Sequence, residues 1–341
     1  MTPAIFMLLT PIITKNFMGT KAMKKRQKTL KVVVLFALQN IANTTMKISK
    51  GENNMPNFIM LVGIPAVGKD TWAREYVKRH PDTIIHSSDD IREELYGDAS
   101  HQGSPIKVFE LMRSRTLRDL RAGKDVIYNA TNIKYKDRKS ILSQLKKIDN
   151  LTCYCKIFVA PVEVCKERNA KRDRVVPDFV YDRMLKSFQI PFYEEGFTSI
   201  EVIKTWDGSD FEYMKEIIEK VKAFGDQKNP HHTLSLWEHC QECGRLALEK
   251  NYFAIPCYFH DFGKIFTQTF DEEGVAHYYG HESWSAYLVL CFGYHHCVAE
   301  VVCYHMMPYD YKGGKEVWKE RFGPRLWEKL EHIHECDVEA H

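Results

Sequence analysis

Short runs of β-branched and other apolar residues alternate with longer stretches of helical periodicity from residue 57 onward. Five runs predict strands: Phe58–Val62, Thr83–His86, Asp125–Tyr128, Thr152–Val159 and Ile200–Ile203. Four stretches predict helices: Thr71–Arg79, Ile106–Ala122, Lys136–Lys147 and Val162–Ala170. Strands and helices in alternation favour an α/β fold in which helices cover both faces of a parallel sheet.

The pattern changes after residue 208. One more amphipathic helix is predicted up to about Phe224, and residues 225–230 (GDQKNP) predict a linker. Residues 231–341 predict an almost entirely helical region, which holds twelve of the fifteen histidines. Because 341 residues exceed what one hydrophobic core usually serves, we expect an α/β domain over residues 55–225 and an all-α domain over residues 226–341.

Residues 1–54 have a composition of their own. They hold nine basic residues against the single acid Glu52, a net charge of +8; the whole chain carries +3, so residues 55–341 carry −5. The apolar stretch 32–42 is about half as long as a bilayer span, and the KGENNM that ends this region back-translates into a ribosome-binding-site-like stretch ahead of a start codon. We expect a leader, upstream of a true start at Met55 or disordered; a membrane-surface helix is the alternative.

Composition narrows the class of protein. With 44% hydrophobic and 27% charged residues, disordered, collagenous and disulfide-scaffold proteins are excluded. The acidic balance of residues 55–341 means that any contact with nucleic acid would come from a local basic patch. Ten cysteines without paired spacing favour reduced thiols. We therefore expect a cytoplasmic protein without membrane association; its oligomeric state stays open.

A phosphate-binding loop follows the first predicted strand. The string GIPAVGK, which starts at Gly63, lies between a strand and a helix, where backbone N–H groups can surround phosphate oxygens while a lysine reaches the outer phosphates. This predicts ATP with Mg²⁺ as cofactors, bound by Gly63, Ala66, Val67, Gly68, Lys69, Asp70 and Thr71. Asp70 stands where Ser or Thr usually binds Mg²⁺; its carboxylate could ligate the ion but would also repel triphosphate. A glycine-rich structural turn is the alternative.

Carboxylates follow the second predicted strand, in SSDDIR. At the carboxyl edge of the sheet, Asp89 could accept the proton of an attacking hydroxyl, and Arg92 could hold a phosphate of the acceptor. The alternative, which is compatible with this role, is that Asp89 or Asp90 caps a helix. The third strand runs into NATN without an acidic pair, which disfavours a motor that hydrolyses nucleoside triphosphates.

A basic segment, CKERNAKRDR over residues 165–174, ends the fourth predicted helix. Arg168 and Arg172 are spaced i and i+4, would share one helix face and could clamp the γ-phosphate as charge develops. A solvated charged face is the other explanation of such a run.

Four strings, GIPAVGKDTWAREY, SSDDIR, NATNI and ERNAKRDRVVP, occur in an order and spacing that resembles the phage-type polynucleotide 5′-kinase domain, over about residues 57–205. The resemblance implies an α/β P-loop kinase. It implies that Lys69 binds the ATP phosphates, that Asp89 is the general base for a 5′-hydroxyl, that Arg92 contacts an acceptor phosphate, that Thr131 lies near the acceptor, and that Arg168 and Arg172 belong to a lid. Asp70 departs from the commonest form of the family, which puts its metal chemistry in doubt.

The helical region combines imidazoles with carboxylates, which together suit Mn, Ni, Co, Fe or Zn. The strings HDFGK, HYYGHE, YHM and ECD resemble the HD phosphohydrolase superfamily, whereas each histidine taken singly could be a buried structural residue. The resemblance implies an all-α HD domain in which one metal is held by His239, His260, Asp261 and Asp337, and a second, bridged by Asp261, by His281 and His305. The metal would activate water for attack on a phosphoester, and Lys264 could neutralise a phosphate oxygen.

Together the two resemblances imply a bifunctional enzyme that heals the ends of broken RNA or DNA strands. It would phosphorylate a 5′-hydroxyl, remove a 3′- or 2′,3′-cyclic phosphate and leave sealing to a separate ligase. Two alternatives stay open. One is a nucleoside or nucleotide kinase joined to a nucleotidase, and the other is a regulatory module that senses nucleotide without transferring phosphate.

Overall fold

The computed structural model describes residues 55–98, 103–230, 233–309 and 314–340. The predictions for residues 1–54 lie outside the described residues. From Met55 onward the chain forms one compact unit.

Five parallel strands build the main sheet. They are β1 (Asn57–Val62), β2 (Ile84–Ser87), β3 (Val126–Asn129), β4 (Thr152–Val159) and β5 (Ser199–Lys204). The helices of this half are α1 (Lys69–Arg79), α2 (Ser88–Tyr96), α3 (Pro105–Arg121), α4 (Tyr135–Leu145), α5 (Val162–Ala170), α6 (Asp178–Leu185) and α7 (Asp210–Phe224). The sequence predicted all five strands, but not α2 or α6.

The sheet order is β2-β3-β1-β4-β5, and every pairing is parallel. β1 is the middle strand, and most of its residues are fully buried because helices cover both faces of the sheet. The chain moves outward from β1 to β2, returns to β3 and then crosses to β4 on the other side. This reversal places the loop after β1 in the crevice at the carboxyl edge, where ligands of open α/β sheets bind.

The remainder is largely helical, with α8 (Leu236–Glu249), α9 (Ala254–Phe259), α10 (Lys264–Thr267), α11 (His281–Cys291), α12 (His296–Tyr304) and α13 (Lys315–Glu339). The expectation of an almost entirely helical region needs one correction, because β6 (Thr269–Phe270) and β7 (Ala276–His277) form an antiparallel hairpin. Helix α13 is kinked at Gly323, whose φ of 70° is not helical and which precedes Pro324.

The helical half packs directly on the sheet half. The Tyr287 hydroxyl donates to the carbonyl oxygen of Ala160 (2.8 Å), and the Tyr304 hydroxyl donates to that of Ile190 (2.7 Å). Gln227, in the predicted linker, is 1% exposed, and its side-chain oxygen accepts from Lys264. The two halves therefore share buried contacts, and the domain boundary near residue 225 stays a prediction.

All ten cysteines are free thiols, and nine are buried. Among the described residues, no helix is both long enough and apolar enough to cross a membrane.

A buried ion pair fixes the segment between α6 and β5, which packs against the helical half. The Arg138 guanidinium donates to both carboxylate oxygens of Glu195 (2.7 and 2.6 Å) and to the carbonyl oxygens of Asn132 and Gln189. Both side chains are almost fully buried. The loop after β3 is thereby held to the segment that contacts α12.

We expect Arg138→Met to lower the free energy of unfolding by about 3–5 kcal/mol, because the Glu195 carboxylate would stay buried without its partner. Urea denaturation measures this, and the double variant Arg138→Met/Glu195→Gln should recover most of the loss. Arg245 is the matched control: it pairs with Glu242 and Glu249 in an exposed position, so Arg245→Met should cost less than about 1 kcal/mol. A loss below about 1 kcal/mol for Arg138→Met would contradict the argument.

Candidate functional sites

The loop between β1 and α1 has the backbone geometry of a phosphate cradle. At Gly63 a Cβ atom would lie 2.8 Å from Val67 Cγ1 and 3.1 Å from the carbonyl oxygen of Phe158, so only glycine fits. Gly68, at the start of α1, has a left-handed φ of 99°. The amide of Gly63 donates to the carbonyl oxygen of Thr131 (3.0 Å), which places Thr131 beside the loop.

Lys69 lies inside this loop. Its Nζ donates to the carbonyl oxygens of Gly63 (2.8 Å) and Ile64 (2.9 Å), and the residue is 8% exposed. Burial lowers the pKa of Lys69 to about 8, although the neighbouring Asp70 carboxylate opposes the shift. At neutral pH the side chain is still mostly an ammonium, and phosphate oxygens entering the loop would meet its charge.

Asp70 extends from the same turn toward β3. Its Oδ1 accepts a hydrogen bond of 2.6 Å from the Asn129 amide, at the last residue of β3. The predicted departure from a Ser or Thr is thus accommodated by a specific partner. The carboxylate lies at the carboxyl edge of the sheet, where it could ligate a divalent cation.

Asp89 lies in the first turn of α2, in contact with two arginines. Its Oδ1 is 2.6 Å from Arg92 Nη1 and 3.4 Å from Arg174 Nη1. The prediction that Asp89 or Asp90 caps the helix is wrong, because the Ser87 hydroxyl accepts from both of their amides and is itself the cap. The Asp89 carboxylate is therefore available to the arginines. Burial raises the pKa of Asp90, with Asp70 and Asp89 adding to the shift.

The predicted lid arginines do not share a helix face. Helix α5 ends at Ala170, before Arg172, because the Asn169 side chain bonds the backbone of Val176 and closes a loop there. Arg168 nevertheless donates to the carbonyl oxygen of Thr205, whose hydroxyl donates to Val67 in the phosphate loop (2.6 Å). The charge of Arg172 also acts on Lys69. Both arginines therefore lie near the loop, but they reach it from different segments.

In the helical half, two groups of buried side chains could hold metal ions. The first contains His239, His260, Asp261 and Asp337, and the second contains Asp261, His281 and His305. They are contributed by α8, the α9–α10 turn, the start of α11, the end of α12 and the end of α13. Each is at most 8% exposed. All six predicted ligands are thus brought together in the fold.

The spacing of the first group fits one ion. Two ligand atoms that are each about 2.1 Å from a metal lie about 3.0–3.5 Å apart in octahedral or tetrahedral geometry. His239 Nε2 is 3.2 Å from His260 Nε2, and these atoms are 2.9 and 3.1 Å from Asp337 Oδ1. Both are 3.5 Å from Asp261 Oδ2.

The other carboxylate oxygen of Asp261 faces the second group. Asp261 Oδ1 is 3.1 Å from His281 Nε2 and 3.8 Å from His305 Nε2, and these two imidazole nitrogens are 3.3 Å apart. Asp261 therefore has the position of a carboxylate that bridges two ions.

Backbone carbonyls orient all four imidazoles. Nδ1 lies 2.6–2.8 Å from the carbonyl oxygens of Ala340 for His239, Cys257 for His260, Tyr278 for His281 and Val302 for His305. Because a carbonyl only accepts, each Nδ1 carries a proton, which leaves Nε2 as the ring atom that can bind a metal in the cluster. Such a hydrogen bond behind the ligating nitrogen is the usual device that orients a metal-binding histidine.

Electrostatics within the cluster also favours a cation. Burial by itself lowers the pKa of His260, but Asp261 and Asp337 outweigh it and raise the value to about 9. Burial and the neighbouring imidazoles His260 and His281 lower the pKa of His305 to about 3. The two carboxylates thus draw positive charge to one imidazole, and a metal ion would compete with that proton.

Three residues at the sites were not predicted from the sequence. Arg174 contacts Asp89, Gln227 accepts from Lys264 (2.7 Å), and the Tyr309 hydroxyl donates to Asp337 Oδ2 (3.0 Å). Lys264 itself lies 2.5 Å from Asp261 Oδ2. Arg174 stood inside the basic run and could have been found there, whereas nothing in the sequence marks Gln227 or Tyr309.

The five-stranded parallel sheet, with its glycine loop and buried lysine after the middle strand, has the arrangement of a P-loop α/β domain. Residues 58–191 match the family model described as an AAA domain. The L-seryl-tRNA(Sec) kinase of Methanococcus maripaludis is 25% identical over 183 residues, which are 50% of this chain and 67% of the relative.

Among solved structures, a chain of the Pnkp1/Rnl/Hen1 complex is 25% identical and matches with a TM-score of 0.30, covering 38% of this chain and 43% of that one. A fungal RNA kinase is 14% identical and matches with a TM-score of 0.35, covering 49% of this chain and 44% of that one. The chain spans less than half the length of either structure.

Proposed function

We propose that the P-loop half transfers the γ-phosphate of ATP to the 5′-hydroxyl of an RNA or DNA strand. The observation that carries this proposal is the placement of Asp89 between Arg92 and Arg174, at the sheet edge that also holds the phosphate loop. A carboxylate next to two cations is suited to take a proton from a hydroxyl whose neighbouring phosphate the arginines hold. The relative named for L-seryl-tRNA(Sec) supports an acceptor that belongs to a polynucleotide.

Each residue of this half has a distinct role in the proposal. Lys69 neutralises charge on the outer phosphates, and Arg168 and Arg172 approach from the lid to stabilise the charge that develops in a loose transition state. Asp89 accepts the hydroxyl proton, and Thr131 borders the acceptor. Mg²⁺, with Asp70 as a fitting ligand, supplies neutralisation of the phosphates when bound.

The helical half is proposed to be an HD-type phosphohydrolase that removes a 3′- or 2′,3′-cyclic phosphate. His239, His260, Asp261 and Asp337 would hold one divalent transition metal, and Asp261, His281 and His305 would hold a second. These ions, when bound, supply Lewis-acid activation of water. The backbone carbonyls keep the imidazoles oriented, Tyr309 orients Asp337, and Lys264 offers its ammonium to a phosphate oxygen beside Asp261. Acting on the two ends of a break, the halves would prepare a strand for a separate ligase.

One experiment tests the acceptor. An oligonucleotide with a 5′-hydroxyl and a 2′,3′-cyclic phosphate is incubated with ATP and Mg²⁺ or Mn²⁺, in parallel with free nucleosides. We expect the oligonucleotide to be labelled, and Arg92→Ala to reduce the labelling by about 10- to 100-fold, the value of one hydrogen bond between charged groups. Arg115→Ala is the matched control, because Arg115 pairs with Glu94 on the exposed side of α2.

Other outcomes point to the alternatives. Equal phosphorylation of free nucleosides, unaffected by Arg92→Ala, would indicate a nucleoside kinase. Tight binding of ATP without transfer to any acceptor, unchanged in Asp89→Ala, would indicate a sensing module.

A further inference from the structure

The β6–β7 hairpin presents an aromatic pair at the surface. The rings of His277 and Tyr279 are parallel, with an interplanar angle of 4° and centroids 5.5 Å apart. Tyr279 is 74% exposed, although large apolar and aromatic side chains are usually covered. The two parallel rings are offset, and most of the aromatic surface of Tyr279 is open to solvent.

This stack is built rather than accidental. His277 Nε2 lies 2.8 Å from Asp271 Oδ2, and the other oxygen of Asp271 accepts the amides of Glu273 and Val275 in the hairpin turn. The imidazole is therefore held by the turn that precedes it. A surface that is ordered before its ligand arrives loses less conformational entropy on binding.

The stack is close in the chain to one of the six candidate metal ligands, which are called the His/Asp cluster below: His239, His260, Asp261, His281, His305 and Asp337. Tyr278 turns inward: its hydroxyl donates to the carbonyl of Gln227, and the Lys264 ammonium lies 5.2 Å from its ring centroid. Tyr279 turns outward, two residues before His281. Two residues span at most about 7 Å, so the backbone of Tyr279 lies within that distance of the backbone of His281, a ligand of the second group.

Lys186 lies at the same edge. A Cβ atom on Gly280 would be 2.5 Å from the carbonyl oxygen of Lys186 and 2.8 Å from its Cβ, so the lysine after α6 starts against the residue that follows Tyr279. The hairpin turn itself carries Asp271, Glu272 and Glu273, so recognition here would come from the aromatic face rather than from net positive charge. Stacking of bases on aromatic side chains tolerates any sequence because every base has a π-face.

We propose that the His277–Tyr279 stack binds a nucleobase of a single-stranded end whose terminal phosphate lies in the His/Asp cluster. This inference rests on the proposed hydrolase function and specifies its substrate as a polynucleotide rather than a phosphate monoester in general. The base extends the column of rings on the open face of Tyr279. Because every base has such a face, both RNA and DNA ends would be held.

The test compares substrates with and without bases. Hydrolysis is measured without ATP for single-stranded RNA and DNA hexamers that carry a 3′-phosphate and for glycerol phosphate. Two further hexamers each carry a single abasic residue, one at the last position and the other at the position before it. For Tyr279→Ala we expect KM for the intact hexamers to rise by about 5- to 150-fold, with glycerol phosphate unaffected. Tyr279→Phe should behave like the parent protein. The abasic hexamer that lacks the stacked base should bind the parent protein weakly, and its affinity should not fall further in Tyr279→Ala.

Phe270→Ala is the matched control. Phe270 is a 52% exposed aromatic residue of the same hairpin, but it is paired across from Ala276 rather than beside His277. We expect less than a twofold change in KM. Thermal unfolding of each variant shows whether the hairpin is intact.

Two results would overturn the inference: an unchanged KM for the hexamers in Tyr279→Ala, or an equal loss on glycerol phosphate. Failure of the hydrolase proposal is a separate outcome, in which the parent protein hydrolyses none of the substrates. In that case the affinity for a hexamer with a 5′-fluorescein and a 3′-phosphate, measured by fluorescence anisotropy, shows whether the stack binds the strand. Weaker binding by Tyr279→Ala than by Phe270→Ala supports the stack as a binding surface, and equal affinity rejects it.

Discussion

Asp261→Asn is expected to lower the removal of 3′-phosphate by about 10³-fold or more, while 5′ phosphorylation changes less than a few-fold. Asp261 Oδ2 faces the first group of ligands and Asp261 Oδ1 faces the second. An amide at this position would therefore weaken metal binding at both groups. Metal ions at phosphoester centres supply several kcal/mol of charge stabilisation, and about 4 kcal/mol corresponds to 10³-fold in rate. Elemental analysis of the purified protein should show the loss of bound metal independently of activity.

Two further measurements distinguish loss of the bound metal from misfolding of the variant. Treatment of the parent protein with a chelator should abolish 3′ processing, and addition of Mn, Ni, Co, Fe or Zn should restore it. Glu335→Gln is the matched variant, because Glu335 lies two residues before Asp337 on α13 but points to Lys250 at the surface. If Asp261→Asn retains both its metal and its 3′ processing, the cluster is a structural feature and the hydrolase proposal fails.

The centre of the sheet was predictable because β1 and β3 are buried on both faces. A strand such as β1, in which nearly every residue is covered, reads as a continuous apolar run and needs no tertiary information. Helix α2 was missed for a local reason: Ser87 is both the last residue of β2 and the cap of α2, so no turn residues separate the two elements. Helix α6 was missed because its eight residues form only about two turns, too few to show a clear helical periodicity.

The two candidate sites differ in how much of them the sequence contains. The phosphate loop is local, and Gly63, Gly68 and Lys69 are adjacent in the chain, so the motif alone predicts their arrangement. The His/Asp cluster is assembled from five places in the helical half, and only a resemblance between strings of residues predicted that it would converge. Tyr309 contacts Asp337 only in the folded protein, and no local sequence motif marks it, so only the structure reveals its contact with the site.

The cap of α2 and the end of α5 differ from the predictions, and both differences bear on the proposed chemistry. Since Ser87 caps α2, Asp89 is not occupied with backbone amides and is left to the arginines. Since α5 ends at Ala170, Arg172 belongs to a loop, while Arg168 is attached through Thr205 to the phosphate loop.

Lys69→Met is expected to lower 5′ phosphorylation by about 10³-fold and to leave 3′ processing within twofold. The ammonium is buried among carbonyl oxygens of its own loop, so it meets the phosphates of ATP in a low-dielectric environment, where each charge contact is stronger than in water. A loss of about 4 kcal/mol from the transition state corresponds to this factor. Labelling of a 5′-hydroxyl oligonucleotide under saturating ATP measures it, and titration of ATP separates loss of binding from loss of transfer.

The pH dependence of the free energy of unfolding provides an independent test of the state of Lys69. Burial lowers the pKa of Lys69 to about 8, which means that the folded protein holds the charged form at a cost. Between about pH 8 and pH 10.5 the unfolded chain binds more protons at this position than the folded one, so the stability profile of the parent protein should rise with pH relative to that of Lys69→Met. Lys78→Met, on the exposed end of α1, should change neither activity nor this profile. Retention of 5′ labelling by Lys69→Met would show that the loop after β1 is not where the phosphate donor binds.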